Sequence, residues 1–274
     1  MKNHFGKNSL KVIVLAAGQG KRLHPLTNNK PKCMVELFGK TLLQRQIEIY
    51  RNCGISDITV VTGYYDSKIN YPDIYKLKNK RYLTTNMVES LFCAQEKLFG
   101  SVIVSYGDII FEKKIIKKLI NSENDISIII DKNWKDYWKI RFNDPLKDAE
   151  SLVLDKNGFI QSIGQKVENV EEIEGQFIGL MKFQNDGIKN IKKFYEKIKK
   201  ISISGSNLLN TNLPFEKSFM TDFLQGLINF DYKLKVVSIK NGWLELDSLK
   251  DYRLYKKMHA EDTLKKFITI EDIN

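Results

Sequence analysis

Six apolar residues, Val12 to Ala17, run without interruption into Gly18. A run this short, rich in β-branched residues and closed by glycine, predicts a buried central strand. From Thr41 to Cys53 the spacing changes: Leu42, Leu43, Gln46, Ile47, Ile49 and Tyr50 fall largely on one helical face, and Gly54 ends the helix. Asp57 to Thr62 predicts a second strand, closed by Gly63. Asn86 to Phe99 predicts a helix with Asn86 as N-cap and Gly100 as stop. Ser101 to Ser105 is a third strand that runs into Tyr106-Gly107-Asp108. A helix over Glu112 to Ile120 and a fourth strand over Asp125 to Ile130 follow. Strand and helix alternate at short intervals, so the first half predicts a doubly wound parallel sheet.

The second half is more mixed. Trp134 to Phe142 is aromatic and charged, and Ser151 to Ile163 predicts a hairpin turning at Asp155-Lys156-Asn157-Gly158. A strand over Gln176 to Phe183, a lysine-rich amphipathic helix over Ile188 to Ile201 and a polar loop to Pro214 come next. A helix over Thr221 to Asn229, a strand over Leu234 to Ile239 and a charged helical segment from Ser248 onward complete the pattern. No internal repeat and no long linker divides the chain, so a single domain is expected.

The turn after the first strand carries chemistry. Leu15-Ala16-Ala17-Gly18-Gln19-Gly20-Lys21-Arg22-Leu23 sets two glycines beside two cations, and Lys32 supplies a third. Glycines at a strand end let backbone N–H groups approach an anion closely, and the cations add charge for a polyphosphate. A dinucleotide fingerprint would need glycine at Leu23, and a Walker A loop would need a later glycine followed by Lys-Ser/Thr; neither is present.

Composition narrows the class. The chain has 274 residues, 42% of them hydrophobic, which is ordinary for a globular protein with a sizeable core. No apolar run approaches the ~20 residues that a membrane helix needs, and the polar, basic start from Met1 to Lys11 lacks the pattern of a signal peptide. A cytoplasmic, membrane-free protein is expected. Cys33, Cys53 and Cys93 form no C-x-x-C pair, which argues against a disulfide framework or zinc site, and each is expected to be a buried small apolar side chain. The net charge of +11 would suit nucleic acid, but the lysines are spread in pairs at helical surface spacings without a recognisable nucleic-acid motif. They are read as a solvated surface, with no nucleic-acid partner. Oligomeric state is left open, a homodimer included.

With Pro25-Leu26-Thr27 and Lys30-Pro31-Lys32 followed by Met34-Val35, the loop resembles the signature of the nucleotidyltransferases that join a nucleoside triphosphate to a phosphorylated sugar or small alcohol. Asp131 to Trp134, Arg141, Asn143 to Glu150, Glu172 to Phe183, Phe219 to Gln225 and Trp243 to Ser248 look like one branch of them. That branch comprises the cytidylyltransferases of phosphonate and phosphoramidate pathways, the 2-aminoethylphosphonate and phosphoglutamine enzymes among them; the phosphocholine enzymes stand next. The resemblance implies an α/β fold: a doubly wound, mainly parallel Rossmann-like sheet with a mixed β insertion for the acceptor. Residues 1–130 would form the nucleotide-binding half, 131–250 the acceptor- and metal-binding half, and 251–274 a helical tail.

Asp108 follows a strand at the edge where open parallel sheets bind ligands, a natural position for a Mg²⁺ carboxylate. Glu245 and Asp247, two apart on an extended segment, point to one face. The resemblance assigns the second metal carboxylate to Asp247, with Glu245 as an acceptor neighbour. It also implies that residues Leu15, Ala16, Ala17, Gly18, Gly20, Lys21 and Arg22 hold the triphosphate, that Thr85 and Asn86 lie near a cytosine, and that CTP is the donor. Arg22 is expected to hold the β- and γ-phosphates and Lys32 to sit between the α-phosphate and the incoming oxygen. Lys132, at a strand end, is the first candidate for the acceptor's anionic oxygen, with Arg141 and Gln176 behind it. Trp134, Tyr137 and Trp138 could box a quaternary ammonium, but aromatics at spacings of three and four are expected to be core. The expected reaction is CMP transfer to a small anionic acceptor with release of pyrophosphate. A sugar-1-phosphate uridylyl- or thymidylyltransferase and a non-catalytic nucleotide-binding regulator are the alternatives.

Overall fold

A computed structural model describes residues 10–273; the basic start of the chain, residues 1–9, lies outside the described residues. In chain order the elements are β1 (Leu10–Ala16), β2 (Glu36–Leu37), β3 (Lys40–Thr41), α1 (Leu42–Asn52), β4 (Asp57–Thr62), β5 (Tyr75–Lys78), α2 (Met87–Cys93), β6 (Ser101–Tyr106) and β7 (Ile109–Phe111). Then come α3 (Lys113–Ile120), β8 (Ile126–Asp131), α4 (Trp134–Arg141), β9 (Leu152–Leu154), β10 (Ile160–Ile163), β11 (Gln176–Gln184), α5 (Asp186–Ser204), α6 (Met220–Asn229), β12 (Lys235–Ile239), β13 (Trp243–Glu245) and α7 (Leu249–Ala260).

Seven strands form the central sheet in the order β12-β8-β11-β6-β1-β4-β5. All pairs are parallel except those of β11, which runs antiparallel to both β6 and β8. The sheet is therefore mainly parallel and draws strands from both halves of the chain. Its two faces are covered by different helices. Val12, Val14 and Ala16 of β1 face the core shared with α1, α3, α4 and α7, whereas Ile13 and Leu15 face the core shared with α2, α5 and α6. Burial on both faces is why β1 reads as continuous apolar sequence instead of an alternating one.

The helix after Asn86 stops at Cys93 and continues only as a 3-10 turn over Gln95–Lys97, so it is shorter than its apolar pattern implied. The aromatic segment without an assigned element is the helix α4; Trp134, Tyr137 and Trp138 are buried there and pack edge-on, the core role expected of them. The cysteines are free, but only Cys33 is buried; Cys53 is half-buried and Cys93 exposed, which corrects the expectation for those two. Among the described residues no helix is long and apolar enough to cross a membrane.

A small ribbon outside the main sheet positions the chemistry. β7 pairs antiparallel with β13, setting Ile109 opposite Glu245 and Phe111 opposite Trp243. Leu246 N donates to the Asp108 carbonyl at 2.9 Å, so the pairing extends one step past the strand ends. Trp243 Nε1 donates to Asp131 Oδ2 at 2.9 Å, tying the ribbon to the end of β8.

Candidate active site

At the carboxyl end of β1 the chain enters the glycine turn. Gly20 has φ of +68°, and a Cβ there would lie 2.9 Å from Lys32 Cβ, so glycine lets the loop close over the Lys32 stem. Thr27 Oγ1 donates to the Gly20 carbonyl at 2.8 Å and fixes that closure. Gly18 has open space where a side chain would be and lines a cavity of about 140 Å³ with Leu15, Ala16 and Ala17. Lys32, Tyr82, Thr85, Asn86, Ser90 and Asp108 complete much of that wall. Lys21 is exposed on the loop and lines neither this cavity nor the one beside it.

Gly107 leaves the space that lets β6 end beside β1; a Cβ there would stand 2.9 Å from the Leu15 carbonyl. The turn that follows is held from below by Gln46 of α1, whose amide nitrogen donates to the carbonyls of Tyr106 and Ile109 at 2.8 and 2.7 Å. Gln46 is fully buried. In sequence it looked like one more position on an apolar face; a buried amide in such a face was the available signal.

The ribbon then brings distant carboxylates together. Lys32 Nζ lies 2.6 Å from Asp108 Oδ2 and 2.8 Å from Asp247 Oδ1, a partner 215 residues away. Arg22 Nη2 lies 2.6 Å from Asp247 Oδ2. Oxygens of Asp108, Glu245 and Asp247 lie within 4.8 Å of one another, and Asp108 Oδ1 is buried with no hydrogen-bond partner. Three oxygen donors converging on an unfilled lone pair fit a hard divalent cation such as Mg²⁺. Burial alone would lower the Lys32 pKa, but the carboxylates of Asp108, Asp247 and Glu245 hold it above its ordinary value. Burial raises the Asp247 pKa less than Lys32 and Arg22 lower it, so its carboxylate is held ionised. Burial pushes Glu245 up to about 7 against the lowering effect of Arg141.

A second cavity adjoins the first across Met87 and Tyr106. Its wall carries Arg22, Asp148, Glu150, Gln176, Glu245 and Asp247 with the rings of Trp138, Phe177, Phe219 and Trp243. β11 makes room for it: its register shifts between Phe177 and Met181, and Gly179, at φ of +82°, leaves space for the Tyr106 ring. Gln176 grips the Glu150 backbone in both directions, with Nε2 donating to its carbonyl at 2.6 Å and Oε1 accepting from its N–H at 3.2 Å. Gln176 thereby holds Glu150 at the rim of this cavity.

Two acceptor candidates are placed elsewhere. Lys132 is exposed, bonded through its backbone N–H to the Ile239 carbonyl, and lines neither cavity. Arg141 is buried beneath the site: Nη1 lies 2.9 Å from Glu245 Oε2, and Nε lies 3.1 Å from Asp251 Oδ1. Its guanidinium is committed to those carboxylates, so it shapes the site from behind and is not a ligand of the acceptor. Asp251 extends the support. Its Oδ2 accepts from the backbone N–H groups of Asp247 and Ser248 at 3.2 and 2.8 Å, fixing the turn that carries Asp247. The Ser248-x-x-Asp251 capping box that makes this possible is readable in the sequence.

A glycine turn, converging cations, carboxylates at strand ends and two adjoining cavities thus meet at one edge of the sheet. The chain belongs to the nucleotidyltransferases: the MobA-like NTP transferase domain matches residues 12–142, and a CTP:phosphoglutamine cytidylyltransferase of Campylobacter jejuni is 38% identical over 253 residues, covering 88% of this chain and 97% of that one. A choline-phosphate cytidylyltransferase of Streptococcus pneumoniae is 30% identical over 157 residues, covering 56% of this chain and 68% of that one. A solved structure of the CTP:phosphocholine cytidylyltransferase from Streptococcus pneumoniae has the same fold, with a TM-score of 0.70 over 92% of this chain and 99% of that one at 22% identity.

Replacing Arg141 tests the support from below. Arg141→Met leaves Glu245 and Asp251 without their cation and is expected to cost about 3 kcal/mol of stability. Urea unfolding of the variant against wild type measures it.

Proposed function

We propose that this chain transfers CMP from CTP to a small acceptor that carries a phosphate, phosphoramidate or phosphonate group at one end and a cationic nitrogen near the other, releasing pyrophosphate. One observation carries the acceptor class: the second cavity sets the carboxylates of Asp148 and Glu150 beside five aromatic rings, next to the cations and carboxylates of the transfer site. Carboxylates and aromatic faces both favour an ammonium group. Phosphoglutamine, 2-aminoethylphosphonate and phosphocholine all pair an anionic phosphorus group with such a nitrogen. The likeness to the Campylobacter jejuni enzyme puts phosphoglutamine first among them.

The acceptor oxygen is already ionised at neutral pH, so the reaction needs no general base. It attacks the α-phosphorus of CTP; the bond from that phosphorus to the β-bridging oxygen breaks, and pyrophosphate leaves. Repulsion between two anions is the main obstacle, and charge builds on the leaving group. Mg²⁺ held by Asp108 and Asp247 would supply positive charge for both. Lys32, released from those carboxylates, would bridge the α-phosphate and the incoming oxygen, and Arg22 would hold the β- and γ-phosphates. Thr85 and Asn86 lie on the wall assigned to the base.

Four nucleoside triphosphates, each with a panel of acceptors, test the reading by pyrophosphate release. Turnover is expected with CTP and an amine-bearing phosphorus acceptor. Turnover with UTP or dTTP and a sugar 1-phosphate would overturn it, as would tight CTP binding with no turnover for any acceptor. Asp108→Asn is expected to lower kcat by at least about 10²-fold with the urea midpoint little changed.

Glu150 makes the acceptor reading pH-dependent. Glu150 is exposed as a residue, but its carboxyl stands on the cavity wall beside Asp222 and Asp148, and partial desolvation there together with those two negative charges raises its pKa to about 7. Its charge is therefore lost below that pH and present above it. With an acceptor whose nitrogen is quaternary, KM for the acceptor is expected to fall as pH rises from 6 to 8. Glu150→Gln should shrink that part of the profile, with Glu245 on the same wall accounting for what remains, while leaving KM for CTP unchanged.

A further inference from the structure

The wall assigned to the base contains a hydroxyl whose direction is set by a residue outside the cavity. Asn79, only 2% exposed, ends the step after β5, and its backbone N–H donates to the Thr62 carbonyl at 2.8 Å. Its side-chain oxygen accepts from the backbone N–H of Arg81 at 3.0 Å. A backbone N–H can only donate, so that contact fixes which end of the amide is oxygen. The amide nitrogen must then face the other way, where it lies 2.8 Å from Thr85 Oγ1 and 3.1 Å from Ser90 Oγ. Both hydroxyls therefore accept from Asn79.

Their protons differ in fate. Thr85 Oγ1 donates to the Arg81 carbonyl at 3.0 Å, so its proton is spent. Ser90 Oγ has Asn79 as its partner and no acceptor for its own proton among the described residues. Ser90 is buried, 6% exposed, and lines the cavity. The loop around it is anchored, because Arg81 Nη2 lies 2.6 Å from Glu89 Oε2. Asn86, on the same wall, has its side-chain oxygen committed to the Met87 N–H.

We infer that Ser90 is a specificity-determining hydrogen-bond donor to the nucleobase, and that Asn79 is the positioning residue that makes it one. The inference rests on the reading of this cavity as the base pocket. It matters because cytosine and uracil differ in sign at N3: cytosine presents a lone pair there and uracil an N–H. Asn79 fills one of the two acceptor sites of the Ser90 hydroxyl and leaves its proton unpaired, so a base that accepts there, as cytosine does at N3, satisfies it. Against uracil the same hydroxyl meets another donor, and a buried donor without an acceptor is costly.

The test is the ratio of CTP to UTP, read as dissociation constants by calorimetry and as kcat/KM where turnover occurs. Ser90→Ala is expected to weaken CTP about tenfold, the size of one lost hydrogen bond, with UTP changed little, so the ratio falls. In Asn79→Asp a carboxylate oxygen faces Ser90 and accepts a hydrogen bond from its hydroxyl, which leaves the Ser90 oxygen only acceptor sites toward the cavity. That variant is expected to shift the ratio toward UTP further than Ser90→Ala does. A loss of loop structure alone would weaken both nucleotides together and leave the ratio near its wild-type value, which would overturn the inference. If Asn79→Asp does not fold, Ser90→Ala decides. A CTP-to-UTP ratio that Ser90→Ala leaves at its wild-type value overturns this inference and leaves the proposed function standing. A wild-type chain that prefers UTP, or binds neither nucleotide, overturns both.

Discussion

The pairing of β7 with β13 is the constraint on which the rest of the site depends. Each strand has three residues, and the ribbon lies outside the main sheet. Yet it sets the start of one strand, where Asp108 stands, against the end of the other, where Asp247 follows. Closing a loop of that length costs entropy, which grows only slowly with the number of residues. The cost is offset by burying Trp243, Leu244 and Leu246 in the same core that takes Ile109, Ile110 and Phe111. The carboxylates thus sit at the lip of an apolar ribbon, and their geometry inherits its rigidity.

Bringing like charges together needs a counterweight. Above the ribbon Lys32 contacts both Asp108 and Asp247, and Arg22 contacts Asp247. Below it Arg141 binds Glu245 and Asp251. The upper cations are the ones expected to meet phosphate, whereas the lower one is sealed in the core. This layering separates function from support: a cation that can exchange its carboxylates for a ligand's oxygens lies on the cavity side, and one that cannot lies behind.

Much of this was legible in the sequence. The glycine turn, Lys32 and the strand-end position of Asp108 follow from short-range patterns, and the strands β1, β4 and β6 announce themselves as apolar runs closed by glycine or by a polar turn. The central sheet's one antiparallel member was not legible, because β11 is apolar on both faces whichever way it runs. Nor was the role of Arg141. An arginine among Trp134, Tyr137 and Trp138 reads as the polar edge of an aromatic segment; only the fold shows it buried against two carboxylates. Lys132 was placed by its strand end alone, and strand ends do not say whether a side chain turns toward the cleft. Asn79 and Gln46 carried no motif. Each acts through backbone groups of turns whose shape pairwise spacing does not encode.

The central claim is that Asp108 and Asp247, far apart in the chain, form one cation site beneath the triphosphate. Manganese binding in the presence of saturating CTP, followed by the loss of the free Mn²⁺ electron paramagnetic resonance signal, addresses it most directly. Wild type should bind one tight ion, and Asp108→Asn and Asp247→Asn should each weaken it by at least about tenfold. An Asp247→Asn protein that holds Mn²⁺ as tightly as wild type would contradict the account.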